Sequence, residues 1–161
     1  MDKIRALLLL FFKLIVRSGV KGSWRVADIL AKYFKSLQLV PIEVDGGVLF
    51  GDMRIGSARG ILASPISVSG EEKVMAQFVR PGDTVFDIVA HFGFYTLLLS
   101  KLVGASGIVF AFEPNPELLP CLRRTVEVHD NISLFETALS EKRGEIELFV
   151  PEDASMASLS N

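Results

Sequence analysis

The sequence predicts an α/β fold, a Rossmann-like parallel sheet preceded by a helical and β-hairpin extension. Short apolar segments at 84–89, 108–113 and 131–135 alternate with helical segments, which is typical of βαβ units. The 161 residues suit a single domain, and a hydrophobic fraction of 50% excludes a disordered chain. The single cysteine, Cys121, excludes an internal disulfide framework and a multi-cysteine metal site, and we predict no metal.

Charge divides the chain unevenly. Residues 1–35 carry eight Lys or Arg and two Asp, a net charge of +6, whereas the remainder carries −8. The total of −2 argues against bulk binding of nucleic acid. We predict three segments: a basic and hydrophobic helical extension at 1–38, a β-hairpin region at 39–68 and a partial Rossmann-like domain at 69–161.

The apolar stretch 6–16 predicts an amphipathic helix that is too short to span a bilayer, since spanning takes about 20 residues. We expect its apolar face to pack on the protein core or on a second subunit, which would make a homo-oligomer. Alternatively, residues 4–17 rest on anionic lipid as a peripheral membrane contact, or form a cleaved signal. At 100° per residue, the apolar face comprises Ile4, Leu7, Leu8, Phe11, Leu14 and Ile15.

Local sequence patterns predict the elements that precede the sheet. Ser23 can cap a second helix that reaches about residue 34. Alternation over 42–50 around Gly46-Gly47 predicts a hairpin, and a further strand is expected at 60–63.

Ser69 and Glu72 have the spacing of a capping box for a helix at 70–79. The strand and helix pattern then continues to the end of the sequence. Helices are predicted at 92–102 and 115–128, a strand at 145–150 and a loop at 152–161.

Two carboxylates stand at the ends of neighbouring predicted strands. Asp87 opens a strand-to-helix turn that ends at Gly93, and Glu113 follows the next strand, 20 residues beyond that glycine. An acid at this spacing can accept hydrogen bonds from a ribose diol. The turn lacks the G-x-G-x-x-G pattern and a Walker lysine, so the spacing favours a nucleoside with a free ribose over a phosphate-rich ligand. Taken singly, each acid could also be a cap or turn residue.

The sequence around these acids resembles the FkbM-type class I S-adenosylmethionine-dependent methyltransferases. The resemblance covers roughly residues 69–160. It is carried by PGDTVFDIVAHFGFYT at 81–96, VFAFEPNP at 109–116, ALS at 138–140 and GE at 144–145.

This resemblance implies S-adenosyl-L-methionine as the cofactor. The turn that includes Asp87, Val89, Ala90, His91, Gly93 and Phe94 would lie against its methionine part. Glu113 would hold the ribose hydroxyls, and Pro114 with Thr137 and Ala138 would lie near the adenine. The implied reaction is SN2 methyl transfer to an oxygen of a sugar or another small hydroxyl acceptor, in which a general base can assist. The catalytic residues are not predicted.

Two departures from the family pattern matter. Val89 stands where the family has glycine, so we expect weaker cofactor binding or a shifted turn. We also expect that the sequence ends before the family's fourth core strand, with its Asp-Val-Glu-Gly-like motif, and that 84–89 therefore presents an open apolar edge.

These departures keep an alternative open, namely a catalytically inactive, truncated cofactor-binding or scaffold fragment. A nicotinamide dehydrogenase is disfavoured by the missing glycines. The partner implied is a small-molecule methyl acceptor, without nucleic acid. We expect a cytoplasmic protein, with membrane association through the N-terminal helix as the alternative.

Overall fold

The computed structural model describes residues 2–64, 70–145, 147–150 and 158–159. A short 3-10 turn, Lys35–Leu37, follows the second helix. The α-helices are α1 Asp2–Arg17, α2 Ser23–Tyr33, α3 Gly56–Ala63, α4 Gly70–Phe78, α5 Phe94–Val103 and α6 Leu119–Val126. The strands are β1 Val40–Val44, β2 Gly47–Gly51, β3 Thr84–Ile88, β4 Ile108–Phe112, β5 Ile132–Phe135, β6 Leu148–Phe149 and β7 Ser158–Leu159.

A parallel three-stranded sheet, in the order β3-β4-β5, organises the second half of the chain. Asp87 is in register with Ala111, and Phe112 is in register with Phe135. Helix α5 connects the first pair of strands and α6 connects the second, so the segment is a β-α-β-α-β unit. The predicted α/β, Rossmann-like fold is confirmed.

Helices α5 and α6 cover one face of this sheet. Because side chains alternate along a strand, Val85, Val109 and Ile132 point to the same face. Leu99 and Val103 of α5 pack on that row. The next row, which includes Ala111 and Leu134, packs on Leu119, Leu122 and Val126 of α6.

The opposite face of the sheet is aromatic and largely open to solvent. Phe86 stacks near Phe110 and Phe112, with ring centroids 5.4 and 6.3 Å apart, and Phe112 stacks on Phe135 at 4.9 Å. Phe86 and Ile88 on β3 are exposed. The expected open apolar edge at 84–89 is therefore present among the described residues.

The hairpin of β1 and β2 lies on the outer side of the helix layer. The backbone N–H of Phe50 donates to Thr125 Oγ1 of α6 at 2.9 Å, and Asp45 forms an ion pair with Lys101 of α5. Cys121 of α6 is buried in the same layer, and burial raises the pKa of its thiol to about 12, which leaves it without nucleophilic character at neutral pH. The order of layers is thus sheet, helices, then hairpin.

One buried cluster joins the N-terminal segments to the sheet domain. It contains Phe12 of α1, Leu49 of β2 and Leu62 of α3, together with Leu97 of α5 and Leu118 next to α6. The three-segment division of the chain stays a prediction, but the extension shares its core with the helices beneath the sheet.

The prediction of a strand at 60–63 is wrong, because these residues lie in helix α3. Ala58 and Leu62 are buried at a spacing of four, which is helical and which a window of four residues does not display. Arg59 fixes the helix from its buried side: its Nη1 donates to the carbonyl of Met53 at 2.7 Å and pairs with Asp28 at 2.7 Å.

Helix α1 packs on the core, but the buried face coincides only in part with the predicted one, since of its members only Leu8 and Ile15 pack on the core. Phe12 and Val16 are buried, whereas Ile4, Leu7, Leu10, Phe11 and Leu14 are exposed. The helix is apolar almost all round, so periodicity alone could not select the face that meets α2 and α3.

The end of the chain also differs from expectation. Among the described residues of the strand predicted at 145–150, Leu148–Phe149 form a strand, and Ser158–Leu159 pairs with it in antiparallel fashion. The loop expected at 152–161 therefore contains a short strand, and its other residues lie outside the described ones. The proposed capping residue Ser69 lies outside the described residues.

Candidate functional site

The turn between β3 and α5 folds over the carboxyl end of β4. The N–H groups of Val89 and Ala90 both donate to the carbonyl of Phe112, each at 2.9 Å. Ala90 in turn accepts a hydrogen bond from the N–H of Gly93 at 2.8 Å. This network fixes the turn beside the next strand, at the edge of the sheet where open α/β folds bind their ligands.

Glu113 is the buried centre of this edge, with 1% of its surface exposed. Its Oε2 accepts the backbone N–H of His91 at 2.8 Å, and its Oε1 accepts the backbone N–H of Asn115 at 2.8 Å. Each oxygen therefore uses one of its two lone pairs on the backbone. The contact with His91 joins Glu113 directly to the turn that begins at Asp87.

Asp87 points to the helix-covered face of the sheet, the same face as Glu113 by alternation along neighbouring strands. Its carboxylate accepts a hydrogen bond from the hydroxyl of Thr96, a fully buried residue in the first turns of α5. Burial raises the pKa of the Asp87 carboxyl above its ordinary value, and the Thr96 hydroxyl lowers it by a smaller amount. Asp87 thus anchors the end of β3 to α5.

Val89 occupies a left-handed backbone conformation, with φ of 71°. For a β-branched residue this conformation is strained by about 1–3 kcal/mol. The turn has therefore kept a glycine-like conformation rather than shifting, and the Val89 side chain projects into solvent, 64% exposed, at the end of the strand. His91 in the same turn also has a positive φ, 57°.

Gly93 closes the turn at the start of α5, with φ of 88°. A Cβ atom there would lie 3.0 Å from Leu122 and 3.1 Å from Thr125, both on α6. Both the left-handed conformation and the close approach to α6 require glycine. The next residue, Phe94, packs edge to face on Tyr95, with ring centroids 5.2 Å apart.

The other predicted site residues lie at the same end of the sheet. Pro114 follows Glu113 directly, while Thr137 and Ala138 follow the end of β5. Thr137 is exposed, and its hydroxyl donates to the carbonyl of Ala138 at 3.3 Å. The structure joins the turn to Glu113 through hydrogen bonds and places 137–138 beyond the neighbouring strand, so the predicted residues share one edge.

Sequence reasoning missed two residues that hold this site. Asn115 fixes one oxygen of Glu113 through its N–H, and its own Oδ1 accepts the N–H of Glu117 at 3.0 Å. The signal was present as an Asn two residues after the acid, which is a common turn arrangement. Thr96 is the second, and it was missed because no local sequence pattern links it to Asp87.

A cavity of about 520 Å³ lies at the opposite end of the sheet. Its lining includes Ile108, the first residue of β4, and Asn131, which precedes β5. Ligands of parallel sheets bind beyond the carboxyl ends of the strands, so this cavity is not the candidate site.

Comparison of the sequence with known proteins finds similarity to methyltransferases. Residues 87–161 match the family described as the methyltransferase FkbM domain. A protein-L-isoaspartate O-methyltransferase of Aeropyrum pernix is 34% identical over 113 residues, which cover 69% of this chain and 42% of the relative.

Solved structures with partial similarity include two methyltransferase-like proteins. A candidate rRNA methylase of Clostridium thermocellum is 24% identical, with a TM-score of 0.41, over 45% of this chain and 43% of that one. A SAM-dependent methyltransferase of Aquifex aeolicus is 30% identical, with a TM-score of 0.40, over 44% and 39% of the two chains. The chain spans less than half the length of these three proteins. Residues 87–161, somewhat less than half of the chain, are thus similar to the methyltransferase FkbM domain, and the chain has the α/β, Rossmann-like fold predicted from its sequence.

Proposed function

We propose that this chain binds S-adenosyl-L-methionine at the edge formed by the turn and Glu113, and that the protein transfers its methyl group to an oxygen acceptor. The observation that carries this proposal is the hydrogen bond from the His91 N–H to Glu113, which brings turn and acid into one site. When bound, this cofactor supplies an electrophilic methyl group on a sulfonium.

Glu113 has the chemistry that a ribose diol needs. Each carboxylate oxygen accepts one backbone N–H and keeps a second lone pair, so two hydroxyl donors can be accommodated. Because Glu113 is 1% exposed, a ribose reaches its carboxylate only after a local rearrangement at this edge of the sheet. The hydrogen-bonding capacity of Glu113 fits the ribose diol of the cofactor.

The remaining turn residues would orient the methionine part. Asp87, held by Thr96, fixes the end of β3, and Gly93 lets α5 start close to α6. The hydrogen bonds to Phe112 and Glu113 also fix the turn beside the end of β4. Fixing donor and acceptor in one geometry is the main contribution that such a site makes to methyl transfer.

For the acceptor we propose a hydroxyl of a sugar or another small molecule, as the family resemblance implies. The Aeropyrum pernix relative is named for O-methylation of a protein isoaspartate, which supports an oxygen acceptor but suggests a carboxylate on protein as the competing candidate. The net charge of −2 argues against an RNA acceptor.

Transfer of label from methyl-tritiated S-adenosylmethionine tests this function. We expect label to appear in a hydroxyl-bearing small molecule from a panel of sugars and glycosides, and to disappear with Glu113→Ala. Label in an isoaspartyl peptide but in none of the sugars would contradict the proposed acceptor. Binding of the cofactor without transfer to any member of the panel would favour the alternative, an inactive cofactor-binding fragment.

A further inference from the structure

Helix α1 presents an apolar stripe to solvent. The stripe follows the spacing 4, 7, 11 and 14, which places its members on one side of an α-helix. Leu7 is 68% exposed and Leu14 62%, whereas Phe12 on the other side is fully buried. One side of α1 thus packs on the core, whereas the stripe is not covered by any of the described residues. The exposed apolar side chains of α1 are Ile4, Leu7, Leu10, Phe11 and Leu14.

Helix α2 repeats the pattern. Its buried side consists of small residues, Ser23, Ala27 and Ala31, which allow close packing on the protein. Its outer side exposes Ile29 and Tyr33. Two consecutive helices that touch each other therefore both present large apolar side chains to water.

Positive charge accompanies these stripes. Between Lys3 and Ile42 the sequence contains one acid, Asp28, which is paired with the buried Arg59. Arg5 and Arg17 donate to the carbonyls of Leu39 and Leu62 and so face the protein. The other exposed or half-buried cations of residues 3–35 are Lys3, Lys13, Lys21, Arg25, Lys32 and Lys35.

We propose that the exposed sides of α1 and α2 dock on the surface of an anionic phospholipid bilayer. Leucines and an aromatic ring would enter the boundary between headgroups and acyl chains, while the cations would contact lipid phosphates. At 16 residues, α1 is about 24 Å long, shorter than the roughly 30 Å hydrocarbon core. In the described part of the chain, no helix has the length and hydropathy that crossing a membrane requires.

The combination of positive charge and exposed apolar side chains favours an anionic bilayer over other binding partners. A nucleic acid would be attracted by the cations but gains nothing from a row of leucines. A second copy of the chain could cover the leucines, but it would bring two clusters of cations together, and a two-heptad stripe is short for a stable coiled coil. An anionic bilayer satisfies both features at once.

Co-sedimentation of the chain with vesicles tests the proposal. We expect binding to vesicles of equal parts phosphatidylcholine and phosphatidylglycerol, and little binding to phosphatidylcholine alone. The double variant Leu7→Ser/Leu14→Ser should weaken binding by at least about tenfold, because both side chains lose their apolar contact with lipid. Lys3→Glu should weaken it by roughly fivefold or more, and added salt should weaken it further.

Phe78→Ser is the matched control, since Phe78 is exposed on α4 and lies outside this surface. It should bind vesicles like the unmodified chain. The proposal is overturned by equal binding to neutral vesicles, by no binding to anionic ones, or by an equal loss in the control. Self-association that Leu7→Ser/Leu14→Ser abolishes, without vesicle binding, would assign the stripe to a second copy instead. Retention on a nucleic-acid column without vesicle binding would also overturn it.

Discussion

At the scale of single residues, Val89 is the position where local chemistry and backbone conformation disagree most. Its φ of 71° suits glycine, yet its side chain is branched at Cβ and exposed. The surrounding hydrogen bonds to Phe112 maintain the conformation despite the strain. The family likeness pointed to Val89 from the sequence, but only the structure distinguishes a strained turn from a shifted one.

Val89→Gly should therefore raise the free energy of unfolding by about 1 kcal/mol, because it removes the strain and loses little buried surface. The midpoint of thermal unfolding should rise by roughly 2–4 °C. The same variant should tighten binding of S-adenosylhomocysteine severalfold, since a glycine lets the backbone of the turn adjust to the ligand without strain.

The control for this change is Val128→Gly, which alters an exposed valine that lacks a positive φ. It should leave the chain equally stable or less stable. An unchanged or lower unfolding midpoint for Val89→Gly would show that the turn is not strained.

Asp87 makes the stability of the folded chain depend on pH. Since its pKa is raised in the folded state, the folded chain holds the proton more tightly than the unfolded chain. Stability from this group is complete below the ordinary pKa of an aspartate and is lost as pH rises through the raised value. Asp87→Asn should therefore gain stability relative to the unmodified chain across that window, as followed by urea unfolding at a series of pH values.

Thr96→Val offers an internal check on this assignment. The Thr96 hydroxyl lowers the pKa of Asp87. Removing this hydroxyl should therefore raise the pKa further and extend the loss of stability to higher pH. A stability difference between Asp87→Asn and the unmodified chain that does not vary with pH would contradict a raised pKa.

At the scale of elements, the sheet segment was predictable and the extension only partly so. Strand 108–112 is a uniform apolar run and strand 84–88 is mostly apolar, and both are bounded by turn residues, so pattern and structure agree. The segment around Gly60 was misassigned because four residues do not distinguish a strand from a helix. The buried face of α1 depends on α2 and α3, which no local pattern reports.

The same dependence on tertiary contacts explains how much of the candidate site could be predicted. Asp87 and Glu113 were found from spacing, because parallel strands end at one edge of a sheet. The burial of Glu113 and the roles of Asn115 and Thr96 arise from contacts across the fold, and sequence spacing does not reveal them.

A substitution in the hairpin turn tests how the hairpin packs on helix α5. Gly46 has φ of 109°, and a Cβ atom there would lie 2.8 Å from the carbonyl oxygen of Leu97. Gly46→Ala should lower the free energy of unfolding by more than about 1 kcal/mol. Gly60→Ala is the matched control within α3, where no atom lies within 4 Å of the added methyl group. It should stabilise the chain by roughly 0.5–1 kcal/mol, and equal effects of the two changes in urea unfolding would contradict this packing.

At the scale of the whole molecule, one side of the sheet is closed by helices and the hairpin, and the other is an open aromatic face. Phe86 and Ile88 expose apolar surface on β3, the outermost strand of the sheet among the described residues, and Phe135 does so on β5. Exposed strand edges with apolar faces favour association. This aromatic face is separate from the apolar stripe of α1 at the start of the chain.

Ile88→Lys should lower the fluorescence of the hydrophobic dye ANS and reduce self-association in size-exclusion chromatography with light scattering. Its unfolding free energy should change by less than about 0.5 kcal/mol, since Ile88 is already exposed. Val128→Lys, which is exposed outside the sheet, should not alter dye binding. Equal dye binding by both variants would show that the aromatic face is covered in solution.

Isothermal titration of the chain with S-adenosylhomocysteine tests the central claim most directly, namely that the turn and Glu113 form one nucleoside site. The prediction is saturable binding of one ligand per chain, abolished by Glu113→Ala in a variant whose circular dichroism shows a folded chain. Glu117→Ala, a change of an exposed acid nearby, should retain it. Absence of heat from the folded, unmodified chain, or undiminished binding by Glu113→Ala, would contradict the account.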